Sequence, residues 1–345
     1  MSTSVVVVGD GWSALGAVGF HVLAGSSVYW VTGTRTRLMA PLACLETGPG
    51  VDLWARLLGG LGIESGSAVE GDWVREFKNK SFRKPAWENR ELWKPERRWV
   101  GVSNSRFQKP VEELSDEVRQ TLMSERFAHI KRIDGLSVTG FKAQDGRLRG
   151  VVLDSGEEIL CEQAFYADRW SLLSALEGLP KPLPFLAKRD PHGVLQLILS
   201  HLEPVGMGVS ESFFAPLHRE SGEGMERHAW GYFSADGKRS LWSLCLTHDE
   251  VENNHEIGKK LRRLKSSVDK AFSTSGWLPP DKKNFSEIWV DEQVRLSEEA
   301  VFAGGESVSH ARSLPDLEGL FFLTDAYGPS RAFQQLEPLL ENANA

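Results

Sequence analysis

The stretch Ser4-Val5-Val6-Val7-Val8-Gly9-Asp10-Gly11-Trp12-Ser13-Ala14 constrains this chain more than any other. Four consecutive valines favour an extended, buried strand, because β-branched side chains are stiff and pack well on a pleated surface. The run ends in a glycine-spaced turn and continues into Ala14-Leu15-Gly16-Ala17, small residues that suit a helix lying close to that strand. A strand feeding a helix through Gly-x-Gly-x-x-Ala is the layout of a dinucleotide-binding turn. Each position has a physical task. Gly9 permits the tight turn, Gly11 lets the backbone approach a pyrophosphate, and Ala14 keeps the helix near the strand. The helix N-terminus, opening at Trp12 and Ser13, offers N–H groups to the anion. Val28-Tyr29-Trp30-Val31 reads as the second strand, which closes a βαβ unit.

Composition narrows the class. The 345 residues suffice for two domains or one large composite, and 41% hydrophobic with 25% charged residues is ordinary for a globular chain. A net charge of −7 gives no global attraction to nucleic acid. Cys44, Cys161 and Cys245 are widely spaced and odd in number, which argues for a reducing, cytoplasmic compartment rather than a disulfide framework. No apolar run is long enough to span a bilayer, and the apolar N-terminus reads as a first strand, not a signal peptide.

Further along, the pattern alternates between helix and strand. A helix is expected at Val51–Leu61 and another over 111–128, after Pro110. Between them, residues 72–110 mix Trp73, Trp87, Trp93 and Trp99 with many cations. Asp72, Glu76, Glu88, Glu91 and Glu96 offset that charge, so the block reads as a lid over a substrate cavity rather than a nucleic-acid platform. Leu136–Lys142, Arg147–Leu153 and Glu158–Cys161 form a hairpin series through Asp145-Gly146 and Ser155-Gly156. Gln163–Ala167 is a short buried strand and Ser171–Leu179 a helix. A second domain follows, with antiparallel strands Val194–Leu199, Met207–Phe214, His228–Ser234 and Ser240–Thr247. It also holds an amphipathic helix Glu250–Phe272 and a strand Ser286–Asp291. Leu320–Leu323 is a last buried strand, and Tyr327-Gly328-Pro329-Ser330 opens a final helix.

With both ends read, the chain resembles the superfamily of flavin-dependent amine oxidases and phytoene desaturases, as a divergent member. Four segments carry the likeness. They are the turn at Val5–Ala17, the Gly48-Pro49 segment running into Val51–Gly62, the hairpin block 136–161 with Ala164–Ala167, and Leu314–Ala326. The resemblance implies an α/β fold. A Rossmann-type, glutathione-reductase-like FAD domain would comprise 1–75, 130–185 and 305–345. Residues 76–129 would be a Trp-rich lid, and 186–304 an inserted antiparallel-sheet substrate domain. It also implies that Gly48-Pro49 lies near the flavin. Asp325 would hold the ribityl chain, and the backbone around Gly328 would face the ring.

Three departures weaken the FAD-side pattern. The glutamate that ends strand two in this superfamily, and grips the adenosine ribose, is Thr32 here. A neutral Thr forgoes about 1–2 kcal/mol of charge-assisted hydrogen bonding. The Gly-Gly-Arg loop is replaced by Arg35-Thr36-Arg37-Leu38-Met39-Ala40-Pro41, and Gly-Asp becomes Thr324-Asp325. Asp10, between the two glycines, must turn away from a pyrophosphate or cap a turn.

The expected function is an FAD-dependent oxidoreductase that removes a hydride from an amine-like or unsaturated apolar small molecule. The sequence names no acid or base for it. Two other readings stand beside it. One is a degenerate flavoprotein fold that binds or scaffolds a protein partner. The other is NADP binding, with Arg35 and Arg37 on the 2′-phosphate. His248 and His255 sit in an acidic helix start rather than a metal site, so no metal is expected.

Overall fold

The computed structural model describes residues 4–33, 51–64, 68–70, 74–83, 105–107, 111–168, 170–181, 183, 190–205, 213–214, 229–233, 237–246, 248–276, 278–302, 312–325 and 335–336. In chain order, β1 (Ser4–Val8), α1 (Trp12–Leu23) and β2 (Ser27–Thr32) form the expected βαβ unit. Next come α2 (Val51–Leu61), β3 (Ala68–Glu70), β4 (Val74–Lys78), β5 (Ser81–Arg83), β6 (Ser105–Phe107) and α3 (Val111–Leu122). Then β7 (Ile130–Asp134), β8 (Val138–Gln144), β9 (Arg147–Leu153), β10 (Glu158–Leu160) and β11 (Gln163–Tyr166) follow closely. The next strands are β12 (Asp190–His201), β13 (Phe213–Phe214), β14 (Ala229–Phe233) and β15 (Arg239–Leu246). The chain continues through α4 (His248–Val251), α5 (Asn254–Ser275), β16 (Trp289–Phe302), β17 (Arg312–Leu314) and β18 (Leu317–Phe322).

The first sheet runs β10-β9-β18-β11-β1-β2-β7, with β8 on β9 and β17 on β18. Its centre, from β18 through β11, β1 and β2 to β7, is parallel. The valine run lies in that centre, and its alternation assigns two faces. Val5 and Val7 join a core with α1, α2 and α3, while Val6 and Val8 join a core with the β8–β9–β10 hairpins. A strand buried on both faces is apolar at every position, which is why Val5–Val8 carries no polar residue. The Asp145-Gly146 turn has φ of 52° and 74°, the paired positive values that a two-residue hairpin needs.

The second sheet is β16-β12-β15-β14-β13-β4-β5. Leu197, Leu199, Trp242 and Leu244 pack beneath Leu264, Val268, Ala271 and Phe272 of α5. β4 and β5, within the stretch read as a lid, join this sheet through β13.

Several expected elements shift, each for a local reason. Glu250–Phe272 is not one helix. Asn253 accepts from the amides of His255 (3.0 Å) and Glu256 (3.3 Å), capping α5 and cutting off α4. The helix expected at Ser171–Leu179 is a 3-10 turn over Trp170–Ala175. It stops because Glu177 pairs instead with β8, donating to Thr139 (2.9 Å) and accepting from Phe141 (3.0 Å). Ser286–Asp291 is not all strand. A capping box between Asn284 and Glu287 winds Phe285–Ile288 into a 3-10 turn before β16 begins. Helix 111–128 ends at Leu122, and a 3-10 turn spans Glu125–Phe127. β7 was not anticipated. Its burial alternates weakly and it pairs on one edge only, so its sequence carries little strand signal. No helix of the described residues is long and apolar enough to cross a membrane.

Candidate functional site

The C-terminal ends of β1, β11 and β18 stand side by side along one edge of the first sheet. The chain places β2 on one side of β1 and β11 on the other. Open parallel sheets bind ligands where the strand order reverses in this way. Gly9 ends β1 at φ +117°, and a Cβ there would lie 2.6 Å from the Ala167 carbonyl oxygen. Only glycine satisfies both demands. Its N–H donates to Val31 (2.9 Å), and its carbonyl accepts from the Trp30 indole at 2.9 Å. Ala14 is fully buried, which lets α1 lie close to the sheet. Trp12 is buried too, edge-to-face on Trp54 with centroids 5.0 Å apart. It belongs to the core shared by β1, α1 and α2.

Asp325 reaches this turn from the end of β18, across a sequence separation of 312 residues. The Ser13 amide (2.8 Å) and hydroxyl (2.5 Å) both donate to its Oδ1. Its other oxygen lies against Gly11, where an added Cβ would fall 1.7 Å from Oδ2. The carboxylate is 5% exposed and sits at the positive end of α1, where helix dipole and amide donation offset its burial. Gly11 is therefore small for a partner within the chain, whatever else approaches it. Thr324, just before Asp325, is buried and gripped by Gln335. Its N–H donates to Gln335 Oε1 (3.0 Å), and Gln335 Nε2 donates to its carbonyl (2.8 Å). The Trp170 indole holds Leu323 in the same way at 2.6 Å.

Asp10 turns away from the turn's inner face, as an anion seat requires. Its carboxylate pairs with Arg119 of α3, which also donates to the Asp10 carbonyl at 3.1 Å. Thr32 ends β2, 6% exposed, and its hydroxyl donates to Asp134 Oδ1 at the end of β7. Arg132 Nε reaches the same oxygen at 2.6 Å.

The structure thus brings Gly9, Gly11, Trp12, Ser13, Ala14, Thr32, Thr324 and Asp325 into one region. Arg35, Arg37, Gly48, Pro49 and Gly328 lie outside the described residues, as do Trp73, Trp87, Trp93 and Trp99. Sequence reasoning missed Arg119, Asp134, Trp170 and Gln335. Arg119 left a trace: it is the one cation in a helix that carries Glu112, Glu113, Asp116 and Glu117. Asp134 left none, because the strand that delivers it was not read.

Two titratable groups near the parallel sheet are displaced by burial. Desolvation pushes the Cys161 thiol up to about 12, which removes it as a nucleophile at neutral pH. It pulls His21, in the last turn of α1, down to about 4. Among the described residues no group of three or more His, Cys, Asp or Glu could hold a metal ion.

No protein-family model matches the chain, and no curated protein matches its sequence. Solved structures do share the fold. An oxidoreductase from Methanosarcina mazei aligns over 98% of this chain and 100% of its own, at 12% identity and a TM-score of 0.62. PqsL of Pseudomonas aeruginosa, a probable FAD-dependent monooxygenase, aligns over 100% of this chain and 86% of its own, at 13% identity and a TM-score of 0.56. The flavin-dependent brominase Bmp2 aligns over 100% and 80%, at 11% identity and a TM-score of 0.56. What the chain shares with these proteins is the fold.

Proposed function

We propose that this protein is an FAD-dependent oxidoreductase, built on the glutathione-reductase-like version of the dinucleotide fold. The observation that carries the reading is the meeting of Asp325 with the Gly9–Ala14 turn. A turn that binds only a mononucleotide or a nicotinamide dinucleotide has no need of a carboxylate returned from the far end of the chain. The neighbours' printed names, which include flavin-dependent enzymes of different chemistry, support the same direction.

The residues present fit the polar parts of FAD. The α1 N-terminus around Gly11 and Ala14 would take the pyrophosphate. Asp325 would accept from a ribityl hydroxyl while Ser13 holds its other oxygen. Arg119 keeps the Asp10 charge from opposing the phosphates. When bound, the flavin supplies the hydride chemistry. Residues 1–75, 130–185 and 305–345 would form the cofactor half, 76–129 a lid and 186–304 the substrate half. On the resemblance drawn from the sequence, the substrate is an amine-like or unsaturated apolar small molecule.

The test is the absorbance spectrum of the purified protein, before and after incubation with excess FAD and removal of the free ligand. Flavin bands retained by the protein support the reading. Colourless protein after that incubation sinks it. The seat of Asp325 favours one second reading, since Ser13 already gives both its donors to a carboxylate of the same chain. On that reading the fold is retained as a binding module without FAD, and the same spectrum separates the two.

A further inference from the structure

We infer that Asp134, delivered by β7, supplies the carboxylate that β2 lacks, and that it accepts from the ribose hydroxyls of an adenosine diphosphate moiety. The inference rests on the dinucleotide reading of the Gly9–Ala14 turn. In such folds the acid that binds the ribose diol ends the second strand, and here that position is Thr32. A loss of charge there looks from the sequence like a loss of the subsite. The parallel register changes that conclusion, because Thr32 stands directly beside Asp134. The Thr32 hydroxyl donates to Asp134 Oδ1, and the Gly135 N–H donates to the Thr32 carbonyl at 2.8 Å, which fixes the turn that follows β7.

The carboxylate is therefore aimed, not merely nearby. Thr32 and Arg132 both engage Oδ1. Among the described residues Oδ2 carries no hydrogen bond, and the Asp134 side chain is 58% exposed. A half-exposed carboxylate with one oxygen anchored and the other open can accept from a vicinal diol. The hydroxyl of Thr32 is committed to Asp134 and acts as a positioning group. The same carboxylate would repel a phosphate on the ribose 2′-oxygen. The subsite should thus select the unphosphorylated adenosine ribose, as in FAD or NAD, over the NADP form that Arg35 and Arg37 would require.

The test uses ligands that carry no flavin. Isothermal titration of the full chain with ADP, 2′,3′-dideoxy-ADP and adenosine 2′,5′-bisphosphate should show ADP binding about tenfold tighter than the dideoxy analogue. That is the ratio expected for one charge-assisted hydrogen bond. In Asp134→Ala the preference should collapse, with ADP falling to the dideoxy level and the dideoxy affinity unchanged. Asp134→Asn, which keeps the shape, should retain part of it. Equal affinities in the wild type, a preference that survives in Asp134→Ala, tighter binding of the 2′-phosphate, or no binding of ADP would each overturn the inference. A protein that retains FAD yet ignores the ribose hydroxyls fails this inference alone. One that discriminates the hydroxyls yet never takes up FAD fails the flavin reading alone.

Discussion

Two carboxylates stand at the C-terminal ends of strands in the same parallel sheet under opposite physical conditions. Asp325 comes from the end of β18 and is buried at the start of α1, with Ser13 donating twice to one oxygen and Gly11 leaving room for the other. Asp134 comes from the end of β7, stays largely exposed, and shares one oxygen between Thr32 and Arg132. A buried carboxylate survives only where its surroundings are arranged for it, so changes around Asp325 should damage the fold itself. An exposed one is stabilised mainly by water, so changes at Asp134 should leave the fold intact and show only when a ligand is offered.

The largest effect should come from Gly11→Ala. The added methyl would overlap Asp325 Oδ2 at 1.7 Å, and the carboxylate that must move is held by the Ser13 amide and hydroxyl. We expect a loss of about 3 kcal/mol or more, in the range of overpacking plus a displaced buried charge, measured by urea unfolding. A Gly11→Ala protein as stable as the wild type would mean that Asp325 does not sit against the turn. The double variant with Asp325→Ala sharpens the point. Removing the carboxylate frees the space, so the two costs should fall short of adding.

Asp325→Ala alone should cost about 2 kcal/mol, because the Ser13 amide and hydroxyl lose their acceptor in a buried place. Asp325→Asn should cost less, since its amide oxygen can still accept. If both substitutions were silent, the contrast between the two carboxylates would have no energetic content.

That contrast also tracks what a single sequence can reveal. Asp325 came into view through the family resemblance, whose motifs are local at both ends: a glycine-spaced turn after a valine run, and an aspartate after Leu320–Leu323. The apolar runs within β1, β2, β11 and β18 were legible for the same reason. Asp134 was not, because its meaning arises only from the register of β2 with β7. β7 is an edge strand of mixed polarity, and a helix–turn reading fits its sequence equally well. Gln335 and Trp170 were hidden likewise. They replace strand partners for the backbone of Thr324 and Leu323, and nothing in a glutamine or a tryptophan announces that use.

The other end of α1 gives the third prediction. His21 is part-buried against Phe165, and burial holds its native pKa at about 4, below the usual 6.5. The unfolded chain therefore binds an extra proton between those values. Stability should be full above about pH 6.5, fall as the pH drops, and level off below about 4. Allowing for partial exposure, the loss should be on the order of 2 kcal/mol. Chemical unfolding at a series of pH values should show this slope in the wild type and a flatter profile in His21→Gln. Whatever acid sensitivity remains then belongs to other groups. An unchanged slope in His21→Gln would remove the histidine from the account and assign all of it to them.

The smallest effect on stability belongs to Asp134. Its partners are an exposed Arg132 and the Thr32 hydroxyl, and pairs of that kind contribute below about 1 kcal/mol. Asp134→Ala in the ligand-free protein should shift the urea midpoint only slightly, while Thr32→Val should cost somewhat more. The difference has a cause. Thr32 is 6% exposed, so valine there alters a packed position as well as removing the hydrogen bond, whereas the Asp134 side chain meets solvent. A loss of 2 kcal/mol or more in Asp134→Ala would make this carboxylate structural, like Asp325, and the two would no longer differ in kind. A small loss combined with a large change in ADP binding keeps them distinct: one carboxylate belongs to the fold, and the other is held ready for a ligand.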